Sequence, residues 1–393
     1  MSFNFIFLIK IVYILSWLVY NRTNKETKRS NNNMGGNAIK NVQRLNKDAY
    51  EKISNEVPLL LLDALGERVI KIIKAYSKKE NFGDMDLVVE SDNLPNNYIE
   101  KLIYRFNLSD GDYVKNGNIF SFRYRGYDTN EKSIEFQIDL IMTKSDKLEI
   151  AYNYFNYNDL SNLLGRMTKK LGFKLGHDGL SYIERVNDHI VTNECFSNNY
   201  YLALEYLHLD VEQYKKGFET LEDIFKFVAS SPFFNPDIYL LHNRNYISRT
   251  RDKKRKTYRA FLEYCEKYND ELNHFPYDNV DDYDGYGSSN NIRIEFTQKI
   301  LEDHPILHYN VLNNRAEFIL NSEFKKYFNG NIVGEHFNIS GKMLGNVMKC
   351  IKNSSINTTE KKIETIKNKE YKFIYDIELN IIERIYDENW RLY

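Results

Sequence analysis

Two stretches of sequence decide the fold: Asn81-Phe82-Gly83-Asp84-Met85-Asp86-Leu87-Val88-Val89 and Ile134-Glu135-Phe136-Gln137-Ile138-Asp139-Leu140-Ile141-Met142. Each is an apolar run of the kind that forms a buried strand, and each carries carboxylates. In an extended chain the side chains of residues i and i+2 point to the same side, so Asp84 and Asp86 share one face at the start of their strand. Two carboxylates this close repel each other unless a cation lies between them.

A third carboxylate lies in the second stretch. Alternation places Asp139 on the polar face of that strand, with Glu135 and Gln137, although apolar residues flank it on both sides. If the two strands pair side by side, Asp84, Asp86 and Asp139 would surround two divalent metal ions, an arrangement suited to in-line phosphoryl transfer. The alternatives are an Asp-x-Asp on a solvated loop and three unrelated aspartates.

The flanking sequence predicts a compact α+β unit followed by a mostly helical chain. Ile119 to Tyr124 and Ile134 to Met142 should form a hairpin. Thr220 and Asp223 are expected to cap a core helix. A loop rich in Asp and Gly (278–291) precedes a long amphipathic stretch, Thr359 to Asp387. The other predicted helices span 45–75, 93–107, 158–171, 194–208, 219–229 and 250–268.

Composition narrows the class of protein. The chain has 393 residues, 42% of them apolar and 28% charged, which is typical of a folded globular protein. Lys and Arg number 54 against 55 Asp and Glu, so any site for a polyanion must come from local clustering of positive charge. Three scattered cysteines, with no CxxC pair, argue against a disulfide framework or a thiolate zinc site and favour a reducing compartment.

The N-terminus allows two interpretations. Residues 5–20 are apolar apart from Lys10 and Ser16, and four basic residues follow the stretch closely. It is therefore either a membrane anchor that keeps the rest of the chain cytoplasmic or part of a dispensable extension over 1–33. A cytoplasmic protein is expected in both cases.

The sequence GDMDL with the lone Asp of IEFQIDLIM resembles the DNA polymerase beta-like nucleotidyltransferase superfamily, over roughly residues 66–145. Members transfer a nucleoside monophosphate from a nucleoside triphosphate to an acceptor. The resemblance implies that Asp84 and Asp86 bind both metal ions. It also implies that Asp139 binds the catalytic metal and activates the attacking hydroxyl. The implied cofactor is Mg²⁺ or Mn²⁺.

The resemblance also implies a nucleotide site. The superfamily normally has Gly-Ser or Gly-Gly shortly before the first Asp, whereas Ala75-Tyr76-Ser77-Lys78-Lys79 occupies that place here. Candidate nucleotide-binding residues are Ser77, Lys78, Lys79, Gly83, Arg166, Lys174 and His177. The last three belong to a stretch, Tyr157 to Leu180, that is similar to uncharacterised viral and microbial members. The alternative for His177 is a turn residue in an Asp-Gly hairpin.

The densest basic run in the chain lies between Arg244 and Arg259. Asp252 is its only acid, and Tyr246 and Tyr258 interleave with it, a pattern suited to phosphate contacts with occasional base stacking. The alternative is a solvated helix face. The candidate nucleic-acid-binding residues are Arg249, Arg251, Lys253, Lys254, Arg255, Lys256 and Arg259.

The sequence as a whole predicts four parts. They are an extension or anchor (1–33), a nucleotidyltransferase palm (34–150), a helical domain that binds the acceptor or nucleotide (151–275), and a linker with a C-terminal helical region (276–393). We expect a nucleotide- and ATP-binding, metal-dependent nucleotidyltransferase whose acceptor is an RNA or DNA 3′ end. The alternatives are nucleotidylation of a protein or small molecule, and a catalytically dead palm that binds nucleic acid.

Overall fold

Alternating apolar residues build the sheet of the N-terminal part. In the computed structural model, which describes residues 38–186, 189–277, 291–353 and 358–369, the chain is an α+β protein. The strands of this part are β1 (Leu45–Asn46), β2 (Ile70–Ile72), β3 (Asn81–Phe82), β4 (Asp84–Glu90), β5 (Tyr113–Asn116), β6 (Ile119–Tyr127) and β7 (Ser133–Thr143). β1 pairs with β3, and the other five form one sheet in the order β2-β4-β7-β6-β5.

The centre of this sheet is the pairing of β4 with β7, which is parallel, whereas its other pairings are antiparallel. The predicted hairpin of β6 and β7 is confirmed. Helices α1 (Lys47–Leu65) and α2 (Tyr98–Arg105) pack on one face of the sheet. Val57 of α1 and Leu102 of α2 are fully buried there in one cluster with Leu87 and Phe136.

The opposite face of the sheet carries Asp84, Asp86 and Val88, because alternate side chains of β4 point the same way. Helix α3 (Leu148–Phe155) packs on this face, where Leu148 and Ala151 form a small buried cluster with Val88. The helix that follows the sheet therefore lies on the same side as the carboxylates.

The middle part combines helices with a second sheet. An antiparallel sheet in the order β10-β9-β8 consists of β8 (Phe173–Gly176), β9 (Gly179–Val186) and β10 (His189–Ser197). The helices are α4 (Leu160–Leu171), α5 (Tyr200–Tyr206), α6 (Val211–Lys216), α7 (Leu221–Ala229), α8 (Tyr246–Lys254) and α9 (Lys256–Lys267). Short 3₁₀ helices lie at Ser145–Lys147, Pro236–Tyr239, Leu241–Asn243 and Asn269–Glu271. Buried aromatic side chains, among them Tyr200, Tyr239 and Phe261, dominate the core of this part.

The C-terminal part has helices α10 (Asn291–Asp303), α11 (Pro305–Tyr327), α12 (Gly330–Phe337), α13 (Gly341–Asn353) and α14 (Thr359–Asn368). Ile300 of α10 and Val311 of α11 belong to the core of the middle part. The end of α11 instead joins α12 to α14 in a cluster of its own, which contains Phe324, Val333 and Val347. The end of the described chain thus has a separate hydrophobic core.

Two helices of the N-terminal part are shorter than predicted. The first ends at Leu65, where Gly66 takes φ 81°, and residues 70–72 form a strand against β4. The second begins at Tyr98 and not at residue 93, because a proline at position 95 disfavours helical geometry in the residue before it.

The middle part departs further from the prediction. Residues 194–197 belong to β10, so the helix predicted from 194 begins only at Tyr200, capped by the Asn199 side chain. The helix predicted over 250–268 is two helices, which meet at an extended Arg255. Of the second sheet, only the β8–β9 turn was considered in the sequence, as the Asp-Gly hairpin at His177, and β10 was not predicted because its start alternates weakly and its end was assigned to a helix.

Several predictions concern residues outside the described ranges. They are the anchor or extension over 1–33, with its apolar stretch 5–20, most of the loop 278–291, and the part of Thr359 to Asp387 that follows Lys369. Within the described ranges, no helix combines the length and the apolar character that crossing a bilayer requires.

The predicted cap of α7 is confirmed and gives a stability test. Thr220 Oγ1 accepts a hydrogen bond from Asp223 N at 3.1 Å, and Asp223 Oδ2 accepts one from Thr220 N at 2.9 Å. We expect Thr220→Ala to lower the free energy of unfolding by about 1 kcal/mol, because the helix loses a cap acceptor. Urea denaturation followed by circular dichroism measures the change. Thr220→Ser is the control, and equal losses in both variants would contradict the role of the hydroxyl.

Candidate metal centre

The parallel pairing of β4 with β7 brings three carboxylates together. In its register Asp86 lies opposite Asp139, and Asp84 lies opposite Gln137. One oxygen from each of the three aspartates lies within 4.8 Å of the others. Among the described residues, this is the one group of three or more acidic, His or Cys side chains close enough to hold a metal ion.

Asp139 is held in place by buried polar neighbours. Gln137, which is fully buried, donates from Nε2 to both carboxylate oxygens of Asp139 at 3.0 Å. The Gln137 Oε1 atom accepts a hydrogen bond from Ile39 N at 3.0 Å, which fixes the orientation of the amide. Ser121, opposite Asp139 on β6, is a further hydrogen-bond partner of its side chain. These hydrogen bonds give the carboxylate a defined position. The residue is buried, with only 7% of its surface exposed.

Burial and mutual repulsion make the ionised forms of Asp86 and Asp139 unfavourable, and their pKa values rise. Burial raises the pKa of Asp86 well above its ordinary value, and the charges of Asp84 and Asp139 raise it further. Burial also raises the pKa of Asp139 to about 6, and Asp84 adds to this increase. Hydrogen bonds from Ser121 and Gln137 act in the opposite direction.

This donor set fits a hard divalent cation. Carboxylate oxygens are the ligands that Mg²⁺ and Mn²⁺ prefer, and neither His nor Cys belongs to the group. A cation among the three oxygens would offset both the loss of solvation and the mutual repulsion that raise these pKa values. The geometry and the chemistry of Asp84, Asp86 and Asp139 thus both suit a metal site.

One cationic side chain, Lys79, lies beside the carboxylates, and a second, Arg44, lies beside Gly83. Asp84 and Asp86 act on the half-buried Lys79 and raise its pKa, but burial has the larger effect and lowers it overall. The Lys79 Nζ atom lies 4.8 Å from the centre of the Phe82 ring. The exposed Arg44 donates to the Asn81 side chain, and a Cβ added at Gly83 would lie 2.5 Å from its Nη1 atom. Gly83 therefore leaves room for the Arg44 guanidinium.

The loop before β3 is hydrogen-bonded to the middle part of the chain. Ser77 N donates to Phe218 O and Lys78 N to Glu219 O, both at 2.9 Å, and Lys79 N donates to Tyr76 O at 3.1 Å. The Lys78 ammonium forms an ion pair with Glu219 at 2.7 Å. The backbone N–H groups of this loop therefore already have partners, and of its two lysines only Lys79 is directed at the carboxylates.

The three candidates from the middle part have different surroundings. Arg166 is buried and donates to Ile238 O at 2.7 and 2.9 Å, and to Asn243 O at 3.2 Å. This placement corrects the expectation that Arg166 faces a nucleotide, because its donors are used to hold the core. Lys174 is half-buried on β8.

His177 lies in the predicted turn between β8 and β9 and is exposed. Its ring lies 5.5 Å from that of Phe155, at the end of α3. Since α3 packs on the carboxylate-bearing face of the sheet, His177 is on that side of the molecule. Both interpretations of His177, as a turn residue and as a nucleotide contact, therefore remain compatible with its position.

Part of the basic run holds the fold together. Arg244 and Asp252 are buried and form an ion pair at 2.6 Å, and Arg251 pairs with the other Asp252 oxygen at 2.9 Å. Arg255 pairs with Asp159. Tyr258 is fully buried, which corrects the expectation that it stacks on bases.

The remaining cations of the run form an exposed surface, which we call the basic surface: Arg249, Lys253, Lys254, Lys256 and Arg259. Tyr246 lies on the same helix as the first three and is 73% exposed. Arg251 donates to Asn162 at 3.1 Å, and Arg255 pairs with Asp159, so α8 is attached to the chain that directly follows α3. The helix that carries part of the basic surface is therefore attached to the start of α4, the helix that follows α3.

Sequence reasoning did not identify Arg44 or the role of Gln137. No spacing rule connects Arg44 with Asn81 and Gly83, because these contacts arise only when β1 pairs with β3. For Gln137 a signal existed, since alternation placed it beside Asp139 on one face of the strand. What alternation did not give is its second contact, with Ile39, 98 residues earlier.

The raised pKa values predict how stability depends on pH. A carboxylate whose pKa is higher in the folded state destabilises that state above this pKa, and the effect fades as the pH falls toward the unfolded value. In EDTA at about pH 8 we expect Asp86→Asn to melt at least about 2 °C above wild type, and the difference to shrink at about pH 5.5. Differential scanning fluorimetry measures both.

The exposed Asp110, in the turn before β5, is the matched control, and Asp110→Asn should leave the melting temperature unchanged. A difference between wild type and Asp86→Asn that stays constant with pH would contradict the electrostatic explanation. MgCl₂ should raise the melting temperature of wild type and have less effect on Asp86→Asn, because one ligand is missing.

Comparison with known proteins adds no assignment to this geometry: no protein-family model matches the chain, and no curated protein matches it.

Proposed function

We propose that the protein is a metal-dependent nucleotidyltransferase whose N-terminal sheet is a nucleotidyltransferase palm. The observation that carries the proposal is the cluster of three carboxylates within 4.8 Å on two adjacent parallel strands. Burying such a cluster is unfavourable without a function for it, because each charge loses solvation and repels the others. A site for divalent cations gives the arrangement a purpose.

The three aspartates would have distinct roles. Asp84 and Asp86 would hold the metal ions and thereby position the triphosphate. Asp139, oriented by Gln137, would hold a metal ion and accept the proton of the attacking hydroxyl. Mg²⁺, when bound, would neutralise the charge that develops on the attacking and leaving oxygens. A nucleoside monophosphate would pass to the acceptor, with pyrophosphate as the leaving group.

Side chains, and not a backbone loop, would bind the triphosphate. The N–H groups of Ser77, Lys78 and Lys79 already donate to carbonyl oxygens, so they do not replace the Gly-Ser loop of the superfamily. Lys79 is a cation on which Asp84 and Asp86 act, and Arg44 lies against Gly83, the residue before Asp84. Charge-assisted hydrogen bonds from these two side chains would hold the phosphate oxygens.

The proposed acceptor is an RNA or DNA 3′ end. Its support is the basic surface, whose neighbours Arg251 and Arg255 contact Asn162 and Asp159 shortly after α3, the helix on the carboxylate-bearing face. Five exposed cations near an exposed tyrosine suit a single strand, whose phosphates they would contact while a base stacks on Tyr246.

The test is label transfer from each radiolabelled nucleoside triphosphate, with Mg²⁺ or Mn²⁺ and mixed RNA and DNA oligonucleotides. We expect oligonucleotide labelling that Asp84→Asn and Asp139→Asn reduce at least about 1,000-fold, because each removes a ligand of the reaction centre. Nucleotide binding by Asp139→Asn should stay within a few fold of wild type.

The other outcomes separate the alternatives. Label on the protein itself, or on a small molecule, would replace the nucleic-acid acceptor by that class. Oligonucleotide binding that is equal in wild type and variants, with no transfer to any acceptor, would contradict the enzyme and favour a binding module. Asp110→Asn, at an exposed carboxylate, is the control that should retain full activity.

The two adjacent lysines of the loop give a second test. Lys79→Gln should raise the KM for the nucleoside triphosphate about 10-fold, because it removes a charged donor beside Asp84. Lys78→Gln should leave KM unchanged, since its ammonium is paired with Glu219. Steady-state kinetics measures both variants. Equal effects of the two substitutions would contradict the assignment of Lys79.

A further inference from the structure

The separate core at the end of the described chain surrounds two helices joined by a tight turn. α12 ends at Phe337 and α13 begins at Gly341, with three residues between them. Asn338 takes the left-handed conformation (φ 51°, ψ 45°), and Ile339 N donates to Gly334 O at 2.9 Å. This closure ends α12 sharply and redirects the chain. Two helices joined by a turn of this length have the connectivity of a helix-turn-helix.

Packing fixes the two helices against each other. Val333 of α12, Ile339 of the turn and Val347 of α13 are buried in one cluster with Phe324 of α11. A Cβ added at Gly334 would lie 3.0 Å from Ile339 O, so the turn passes close against α12 at a position that requires a small residue. α13 is therefore packed firmly against α11 and α12, and this fixes the orientation of its exposed face.

The exposed side of α13 is positively charged and has a glycine at its centre. Lys342, Lys349 and Lys352 are exposed, and the sequence of α13 contains no Asp or Glu. Gly345 lies between them on the same face by helical spacing, and a Cβ added there would meet nothing within 4 Å. A helix with this face can approach a polyanion closely at Gly345, where the helix has no side chain and the lysines on either side supply positive charge.

We propose that α12, the turn and α13 form a helix-turn-helix unit that binds double-stranded DNA, with the lysine face of α13 in the major groove. The major groove of B-form DNA is wide enough to admit an α-helix. The major groove of A-form RNA is too deep and narrow for side chains to reach. The unit contains no residue of the carboxylate site, so it does not depend on the proposed catalytic activity.

The test compares the full chain with the triple variant Lys342→Gln/Lys349→Gln/Lys352→Gln. Fluorescence anisotropy with a labelled DNA duplex, its single strand and the corresponding RNA duplex gives the affinities between about 50 and 200 mM NaCl. For the DNA duplex we expect at least a roughly 10-fold loss, with a slope of log K against log[salt] that is shallower by about 2 to 3, since each lost phosphate contact contributes about 0.9. Affinity for the single strand, which the basic surface would bind, should stay within about twofold of wild type.

The matched control is Lys101→Gln/Lys132→Gln/Lys216→Gln, which removes the same charge from exposed positions elsewhere. It should bind the DNA duplex like wild type. Gly345→Glu is a second variant, which adds bulk and negative charge to the proposed contact face without entering the core, and it should also lose duplex binding. Circular dichroism should show unchanged helix content in all variants.

Three results would overturn the proposal. The first is duplex binding by the triple variant that equals wild type in affinity and salt slope. The second is an equal loss of duplex affinity with the control triple variant, which would mean that binding depends on the net charge of the protein and not on the lysines of α13. The third is binding to the RNA duplex as tight as to DNA and lost with the same lysines, which would assign the face to RNA.

Discussion

Repulsion among carboxylates on paired strands is the constraint on which the N-terminal part depends. The apolar residues on the other face of β4 and β7 prevent a slip in register, because a shift by one residue would turn them out of the core. Asp86 and Asp139 are therefore fixed opposite each other and cannot move apart. The surrounding structure offsets this repulsion: the Gln137 amide donates to Asp139, Lys79 lies beside Asp84 and Asp86, and the donor set suits a divalent cation.

The sequence was informative where the determining interactions are local. The strand patterns predicted the carboxylate cluster and the β6–β7 hairpin, and cap residues predicted the start of α7. It was uninformative where the partner lies far along the chain. Nothing near Arg166 in the sequence indicates that its guanidinium binds carbonyls of residues 238 and 243, which are more than 70 positions away. The sequence gives no reason to assign different roles to the adjacent Lys78 and Lys79. They differ in the structure because Lys78 forms an ion pair with Glu219, which lies far along the chain.

The basic run shows why a count of charges is a poor measure of a binding surface. Arg244, at its start, is buried against Asp252, and Arg255 is engaged with Asp159, so both serve the packing of α8. The cations left at the surface are fewer than the sequence suggests, and they lie on two consecutive helices, α8 and α9. By contrast, the lysines of α13 do not form a basic run in the sequence, because they are spread over eleven residues. They lie on one face only when this segment is helical.

The parallel pairing of β4 with β7 also bears on the order of folding. The two strands are separated by α2, β5 and β6, so β4 leaves the ribosome well before its neighbour is synthesised. Until β7 arrives, β4 can pair only with β2, and Asp84 and Asp86 remain hydrated. Pairing with β7 would then bring Asp139 against them and add the electrostatic cost, through a non-local contact of the kind that forms slowly. A divalent cation that lowers this cost would then act as a folding cofactor, whatever chemistry it later supports.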